Sequence, residues 1–394
     1  MFARKYRYLH WSVLFSLSAM LACSAPPEDD KLPAPLTLTP GQLTEAARCG
    51  ECHVDIYSVW MNSVHARAAS VPAFLEAFDD AVKREGDSAR SLCLRCHAPA
   101  SVVTGDLVLS SPLNQEGVSC DFCHSLVGWN RDDRQNPFLL EVGGAMHGPV
   151  EDAQSLGHPV AFSEFHTQSE HCGACHEYVS PYGVPVLSTY SEWLEYYRNQ
   201  GKKTCQECHM PLVVASVVDP KVARVRGGFV NLHSMPGGHS KDQLIRALRL
   251  RIQEIVREKD TVKVRVSLRN QGAGHQVPTG SPSRKIVLQV SATTPSGATA
   301  QQEQVFQRIV VDQAGQPILE DSRIFFETAA VQSDNRLGPG EERVVEAVLK
   351  VPPDENVKVR AALTYLYSPQ NRPETETRFE FYSESRDLVA TWSR

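Results

Sequence analysis

The carboxy-terminal part of the chain alternates between apolar and polar residues. In residues 248–253 and 262–268 every second residue is Leu, Ile or Val, and the residues between them are Arg, Lys, Gln or Ser. A period of two is typical of a β-strand with one buried face. Lys259 and Asp260 separate the two runs, so the pattern predicts an antiparallel hairpin that turns at these residues.

Similar short runs follow, separated by turns that contain Gly and Pro. They predict further strands at 286–292, 304–312, 322–328, 342–351 and 357–367. Seven short strands with regular turns are typical of an all-β immunoglobulin-like sandwich. We therefore predict a β-sandwich domain over residues 241–394. Such a fold supports many functions, so the pattern alone does not indicate one.

The amino terminus has the pattern of a secretory signal peptide. Arg4, Lys5 and Arg7 precede an apolar run of 14 residues at 9–22. This run is shorter than the roughly 20 residues that a membrane-spanning helix needs. A retained helix is the alternative to a cleaved signal.

Met20-Leu21-Ala22-Cys23 resembles a bacterial lipobox, in which cleavage occurs before a Cys that then carries lipid. We predict that residues 1–22 are removed and that Cys23 is lipidated. Cleavage after Ala25 would instead remove Cys23. Residues 23–44 are rich in Pro and are predicted to form a semi-rigid tether to a membrane surface.

The composition is that of a soluble globular protein with two unusual numbers. The 394 residues include 40 Lys and Arg against 46 Asp and Glu, which gives a net charge of −6. No basic cluster is present, which argues against a nucleic-acid partner. The unusual numbers are 11 Cys and 14 His.

Ten of the Cys residues form five copies of the motif Cys-x-x-Cys-His. The copies are Cys49/Cys52/His53, Cys93/Cys96/His97, Cys120/Cys123/His124, Cys172/Cys175/His176 and Cys205/Cys208/His209. This motif is the attachment signature of c-type haem, because two thiols at this spacing bond the porphyrin and the adjacent His ligates the iron. Zinc sites and disulfides also use paired Cys, but neither requires a His after every pair. We therefore predict five covalently bound haem c groups.

The five motifs lie within 161 residues, from Cys49 to His209. A stretch of this length cannot wrap five haems separately, so the haems are expected to contact one another and to form most of the core. We predict a pentahaem domain over residues 45–240. It should be mainly α-helical or irregular, with helices at 63–84, at 191–200 and around the motifs.

The sixth ligand of each iron separates electron carriers from catalysts. Beyond residue 22 the chain has eight His outside the motifs, more than the five that full His/His ligation needs. We predict His65, His147, His158, His233 and His275 as distal iron ligands. The less favoured candidates are His166, His171 and His239, and Met61, Met146, Met210 and Met235 are alternatives that would raise the potential. His65 is expected on a helix, on the same face as Met61.

These residues resemble the multihaem cytochromes c of the cytochrome c-554 type over about residues 45–280. Beyond the haem motifs, the similar segments are 60–66, 148–158, 169–177, 189–193, 204–211 and 233–239. The resemblance implies stacked haems with mostly two His ligands, and it supports His65, His158 and His233 as distal ligands. The best-known members carry four haems. Pentahaem nitrite reductases mostly replace one motif His by Lys, whereas all five motifs here end in His.

A Gly-rich loop at 270–280 resembles loops of multihaem cytochromes that carry such a sandwich. Its Gly residues permit close backbone approach to another surface. We hypothesise that His275 in this loop reaches across the domain boundary to ligate or hydrogen-bond a haem. The alternative is a loop that serves only for docking.

The sequence thus predicts an electron carrier of the periplasm or cell surface, held to a bacterial membrane by lipid at Cys23. Its expected partners are redox proteins, either other cytochromes or a membrane quinol-linked complex. One alternative is an oxidoreductase that acts on a small nitrogen or sulfur compound at one five-coordinate haem. A further alternative is a sandwich that itself captures a partner protein.

Overall fold

The computed structural model describes residues 33–197, 203–223 and 228–389. The signal peptide, Cys23 and most of the predicted tether lie outside these residues. Within the described ranges, no helix has the length and apolar character needed to cross a membrane.

The region before residue 248 consists of short elements joined by loops, as the motif density predicts. Its helices are α1 (Ala46–Gly50), α2 (Val54–Trp60), α3 (Pro72–Glu85), α4 (Asp87–His97), α5 (Ala100–Thr104), α6 (Pro112–Gln115), α7 (Cys120–Ser125), α8 (Glu170–His176), α9 (Thr189–Tyr197), α10 (Cys205–His209) and α11 (Lys241–Ala247). Its strands are β1 (Leu126–Trp129), β2 (Phe138–Leu140), β3 (Met146–Gly148), β4 (Val160–Phe162), β5 (Glu177–Val179), β6 (Pro185–Ser188), β7 (Leu212–Val214) and β8 (Phe229–Asn231). These strands pair only in twos, so no extended sheet organises the described residues of this region.

Helix α3 shows why the predicted helix at 63–84 begins later than expected. Pro72 occupies the first turn, and the preceding Val71 has the extended backbone that proline favours. Residues 61–70 therefore form turns rather than a helix. His65 lies in these turns, with Nδ1 buried, whereas Met61 is 48% exposed. The expectation that both share one helix face is wrong.

The carboxy-terminal region is a β-sandwich, as predicted. Its elements are β9 (Leu248–Glu258), β10 (Thr261–Asn270), β11 (Arg284–Thr293), β12 (Thr299–Phe306), β13 (Arg308–Val311), α12 (Asp321–Glu327), β14 (Ala330–Asp334), β15 (Glu342–Lys350), β16 (Val357–Tyr367) and β17 (Thr377–Leu388). One sheet has the order β15-β10-β9 and the other β12-β11-β16-β17, and all pairs in both are antiparallel. The immunoglobulin-like topology stays a prediction.

The core of the sandwich lies between the two sheets. Leu250 and Val264 from the first sheet and Leu288 and Leu363 from the second are fully buried in one apolar cluster. The alternating Arg, Lys and Gln residues at 249–253 and 263–265 face outward, whereas Ser267 is buried. The period of two in the sequence therefore identified the buried face correctly.

Residues 322–328, predicted as a strand, form helix α12 instead. Ile324 is buried while Arg323 pairs with Glu327 one turn later, at 2.6 Å. This spacing suits a helix with one buried face. The predicted strand at 304–312 is divided between β12 and β13, and the pattern did not identify β14, β17 or α11.

Candidate haem centres

Four of the five Cys-x-x-Cys-His motifs each lie within one short helix of their own. Helices α4, α7, α8 and α10 contain the second to fifth motifs in full. Residues three apart in a helix lie on neighbouring positions of one face. In these four motifs the local fold therefore presents both thiols and the His together, as the prediction of helices around the motifs requires.

The first motif differs, because its second cysteine lies outside any helix. Cys49 belongs to α1, whereas Cys52 lies in the turn between α1 and α2, and His53 directly precedes α2. The backbone N–H of Cys52 donates to the Cys49 carbonyl at 3.2 Å, and the Cys52 carbonyl accepts from the Asp219 N–H at 2.8 Å. The expectation of a helix through this motif is therefore wrong at Cys52, where a turn holds the residue beside Cys49. Haem attachment at Cys52 stays a prediction.

Four of the five motif His residues hold their ring in the orientation that an iron ligand needs. In each, Nδ1 donates a hydrogen bond to a backbone carbonyl, which leaves Nε2 with its lone pair free. The bonds are His53 to Val217 at 2.6 Å, His97 to Ala68 at 2.9 Å, His124 to His147 at 2.6 Å and His209 to Pro236 at 2.6 Å. These carbonyls come from distant segments, so tertiary structure fixes the tautomer.

Burial keeps the candidate ligands neutral. Burial is the main cause, and nearby imidazoles add to it. Together they lower the pKa of His65 to about 4 and that of His176 to about 3. The pKa of His233 is about 4 for the same leading reason. A metal-binding imidazole must be neutral, and these side chains satisfy that condition at physiological pH.

Three motif His residues face a predicted distal ligand across a gap that fits one iron, and a fourth, His124, has the ring of His166 at 5.8 Å. The ring centroids are 6.0 Å apart for His53 and His158, 6.2 Å for His65 and His176, and 6.3 Å for His209 and His275. Metal–imidazole bonds of about 2 Å on each side of an iron give a centroid separation of about 6 Å. The structure therefore places three of the five predicted distal ligands, His65, His158 and His275, opposite a motif His.

Three predicted distal ligands show the same orientation as the motif His residues. Nδ1 of His158 donates to Pro159 at 3.0 Å, that of His233 to Asn231 at 2.6 Å, and that of His275 to Gln276 at 2.8 Å. Their Nε2 atoms stay available for iron. Burial is the main cause that lowers the pKa of His233, and the charge of His124 is the second.

His147 is arranged differently from these predicted ligands. Its Nε2 contacts the Glu141 carboxylate at 3.1 Å, so the atom that would bind iron already has a partner. Its backbone carbonyl instead accepts the hydrogen bond from His124. We correct the sequence-based prediction: in this structure His147 supports a motif His and is not placed as a distal ligand.

The less favoured His candidates also have contacts of their own within the protein. Nε2 of His166 contacts the Cys123 carbonyl at 3.2 Å, and Nε2 of His171 contacts the Cys123 thiol at 3.1 Å. The ring of His239 packs against Tyr365 and Tyr367.

His97 differs from the other motif residues in its ring contacts. The Phe74 ring stacks on it at 4.0 Å. Among the residues that the structure describes, no second imidazole faces His97 at the 6.0–6.3 Å seen in the three pairs.

The ten motif thiols are free, and several from different motifs lie side by side. Cys175 lowers the pKa of Cys96 to about 7, and Cys172 does the same for Cys205. Cys120 likewise lowers the pKa of Cys49. Within the described ranges, no group of three or more His, Cys, Asp or Glu is arranged to hold a metal ion. Free thiols beside correctly oriented imidazoles fit covalently bound haem.

Comparisons with known proteins agree with this arrangement. Residues 48–125 match the family model described as cytochrome c554 and c-prime. A penta-heme cytochrome c552 from Thermochromatium tepidum has a similar structure, with a TM-score of 0.72 and 24% sequence identity. The match covers 89% of this chain and 100% of that one.

Two other solved structures match only a little over a third of this chain. A putative ApaA protein from Bordetella pertussis is 11% identical over 37% of this chain and 95% of its own, with a TM-score of 0.21. A beta-glucosidase 3B from Thermotoga neapolitana is 18% identical over 36% of this chain and 16% of its own, with a TM-score of 0.16. Such low scores support no inference.

No curated protein matches the sequence. The family match over residues 48–125 confirms the predicted resemblance in that segment. The shared fold extends it to most of the chain. Together they show that most of the chain has the fold of a multihaem c-type cytochrome.

Proposed function

We propose that this protein is an exported electron carrier with five haem c groups, one at each Cys-x-x-Cys-His motif. The observation that carries the proposal is the set of three imidazole pairs at 6.0–6.3 Å. Bound haem supplies the one-electron redox change, and the protein supplies ligands, spacing and a low-dielectric surrounding.

The orientation of the imidazoles supports four of the axial ligand sets. Three sets are the pairs described above. For His124 we propose His233 as the partner, because Nδ1 of His233 donates to a backbone carbonyl and its Nε2 stays available, whereas Nε2 of the nearer His166 contacts the Cys123 carbonyl. With protein ligands on both sides, these irons have no open position for a substrate. Two imidazole ligands also favour a lower potential than His/Met ligation, because Met raises it.

The neighbouring thiols support electron transfer between haems within two groups. Thioether bonds would form at Cys49 beside Cys120, at Cys96 beside Cys175, and at Cys172 beside Cys205. Haem edges attached at adjacent sulfur atoms are themselves adjacent. The first motif thus neighbours the third, and the fourth neighbours both the second and the fifth.

The proposed location and partners rest on features of the sequence. The signal-like residues 1–22 and the lipobox-like Cys23 support export and attachment to a membrane, with the periplasm or the outer membrane as the compartment. The expected partners are other cytochromes or a membrane quinol-linked complex. The similarity to a penta-heme cytochrome supports the number of haems.

The test combines a pyridine haemochrome count with electron paramagnetic resonance of the oxidised, haem-loaded protein. We expect five haems per chain and low-spin signals from at least four of them. Fewer than five haems, or high-spin signals from several, would contradict the proposal.

The surroundings of His97 favour a second function, which is catalysis at one haem. Because its ring faces Phe74 and no second imidazole, its iron is the one candidate for an open sixth position among the described sites. Such a haem would bind a small nitrogen or sulfur compound. One high-spin signal per chain that changes on adding nitric oxide, hydroxylamine or sulfite would support this catalytic function. Unchanged spectra would leave the carrier function alone.

A further inference from the structure

Two strands of the sandwich present a cluster of polar side chains toward the haem region. Arg284 begins β11 and pairs with Tyr367 of β16, and Tyr365 lies two residues earlier on the same face. The His239 ring packs against both Tyr rings, at 5.5 and 5.6 Å between centroids. The cluster therefore lies where the two domains meet.

The Arg284 guanidinium has few partners for an enclosed cation. Its Nη1 donates to the Thr279 carbonyl at 3.2 Å, and the Tyr367 ring lies 5.5 Å away. Its Nε is buried and has no hydrogen-bond partner. Among the described residues no carboxylate forms an ion pair with it. Arg284 as a whole residue is half-buried.

The nearest carboxylate of the cluster is already occupied. Asp321 accepts hydrogen bonds from the hydroxyls of Ser281, at 2.5 Å, and Ser283. Tyr367 donates to its other oxygen, at 3.0 Å. Asp321 therefore does not supply the acceptor that Arg284 lacks.

Tyr365 provides a second donor without a partner. Its side chain is 1% exposed, and its hydroxyl is buried with no hydrogen bond. Buried polar groups are nearly always paired, and leaving one unpaired is costly. Two unpaired donors on one face of adjacent strands indicate a missing acceptor, and an anionic one where a guanidinium is involved.

Helix α3 contacts both the His97 ring and the segment that follows β16. The Phe74 ring of α3 stacks on His97 at 4.0 Å, and Asp80 of α3 accepts a hydrogen bond from Gln370 at 3.0 Å. The pKa of His176 is lowered by burial, then by His65 and then by the charge of Arg284. Haems attached beside His97 and His176 carry two propionates each, and a carboxylate is the group that a guanidinium binds best.

We propose that Arg284, together with the Tyr365 hydroxyl, binds a propionate of the haem held at His97 or at His176. The sandwich domain thereby places a fixed positive charge beside one haem and raises its reduction potential. This inference rests on the proposed haem-carrying function. It assigns the sandwich a role in setting the potential of one haem along the electron route.

The test is a spectroelectrochemical titration of the fully haem-loaded protein and its variants. In Arg284→Gln we expect one of the five midpoints to fall, because removing a positive charge favours the oxidised iron. A tenfold change in the reduction equilibrium corresponds to about 59 mV for one electron. Arg284→Lys should retain most of the native value, and Tyr365→Phe should shift the same midpoint in the same direction by less.

The matched control is Arg360→Gln, which removes the same charge from an exposed site on β16 where Arg360 pairs with Glu380. All five midpoints should stay unchanged in this control. A His65→Ala background identifies the haem at His176 by its high-spin spectrum, and shows whether the shifted midpoint belongs to it or to the haem at His97.

Two results would overturn the inference. One is five unchanged midpoints in folded, fully loaded Arg284→Gln, and the other is an equal shift of all five. If Arg284→Gln does not fold, an unchanged set of midpoints in Tyr365→Phe decides against it. A native protein with fewer than five haems would contradict the proposed function instead, before any variant is compared.

Discussion

At the scale of single residues, the orientation of each imidazole separates candidate ligands from supporting residues. A ring whose Nδ1 donates to a carbonyl, as in His158, His233 and His275, keeps Nε2 free for iron. A ring whose Nε2 already has a partner, as in His147, does not. The sequence lists the imidazoles, but only the folded backbone and side chains around each ring show which nitrogen is free.

His275→Ala is expected to convert one low-spin haem to a high-spin one. His275 faces His209 at 6.3 Å, and its removal leaves that iron with an open sixth position. Electron paramagnetic resonance of the oxidised variant measures the change. If every haem stays low-spin, His275 is not a ligand.

His147→Ala provides the comparison for that experiment. Because Nε2 of His147 contacts Glu141, this variant should leave the spin state of every haem as in the native protein. A new high-spin signal would restore the sequence-based prediction that His147 is a distal ligand.

Asp106 organises the loop that follows α5. Its carboxylate accepts hydrogen bonds from the Asn114 side chain and from the backbone of Val108, Ser110 and Ser111. The Asn114 bond is the leading cause that lowers its pKa to about 2. Since the folded pKa lies below the unfolded value, Asp106 stabilises the loop above pH 3.8 and loses this effect as the pH falls to about 2.

Hydrogen exchange in residues 106–114 should therefore accelerate between about pH 4 and about pH 2, relative to β16 in the same sample. In Asp106→Asn the loop should exchange quickly at all of these pH values. Equal relative protection at both ends of this pH range in the native protein would contradict this role.

At the scale of elements, periodicity predicted the strands well and the helices less well. The strand predicted at 357–367 matches β16, and 262–268 lies within β10. The strand prediction for residues 322–328 failed for two reasons. A short helix with few turns shows no distinct period, and Phe325 and Phe326 favour a strand by propensity alone. The late start of α3 follows from the local rule at Val71 and Pro72.

The buried face of the sandwich predicts a difference between two valines. Val264 on β10 is fully buried, whereas Val348 on the neighbouring β15 is 57% exposed. Val264→Ala should lower the free energy of unfolding of the sandwich by about 2–3 kcal/mol, from lost burial and the cavity left behind. Val348→Ala should change it by less than about 0.5 kcal/mol.

Denaturant unfolding followed by far-ultraviolet circular dichroism measures both valine variants. The comparison controls for residue type, because each variant removes the same atoms from adjacent strands. Equal losses of stability would show that the period of two does not mark the buried face.

At the scale of the whole molecule, the two domains share a polar and an apolar interface. Glu192 of α9 pairs with Arg336 at 2.8 Å, and their side chains are only 10% and 6% exposed. The other oxygen of Glu192 accepts from the Gln276 backbone at 3.2 Å and from the Thr279 hydroxyl at 2.8 Å. Nearby, Val186 of the haem domain packs in a cluster with Val310, Ile318 and Ile324 of the sandwich. This interface fixes the loop that carries His275.

Glu192→Gln should both destabilise the interface and loosen His275. Losing the ion pair with Arg336 is expected to cost about 1–3 kcal/mol, because Arg336 keeps its bond to Asp334. A fraction of one haem should become high-spin. Thermal unfolding and electron paramagnetic resonance measure the two effects.

The control for this variant is Glu346→Gln, which breaks an exposed pair with Arg265. Exposed pairs contribute at most about 1 kcal/mol, so this variant should keep the native spin state. If Glu192→Gln behaves like Glu346→Gln in both measurements, the interface does not position His275.

The sequence by itself determined the features that depend on local order. Five Cys-x-x-Cys-His motifs predict where haem attaches, because the thiols and the His are neighbours in the chain. The period of two defines the sandwich, because strand faces alternate residue by residue.

Only the tertiary structure decided which groups from distant segments meet. It pairs His53 with His158 and His209 with His275, and it turns His147 toward Glu141. It also leaves Nε of Arg284 without a hydrogen-bond acceptor at the domain boundary. These results depend on packing between residues far apart in the chain, and no local pattern records such distances.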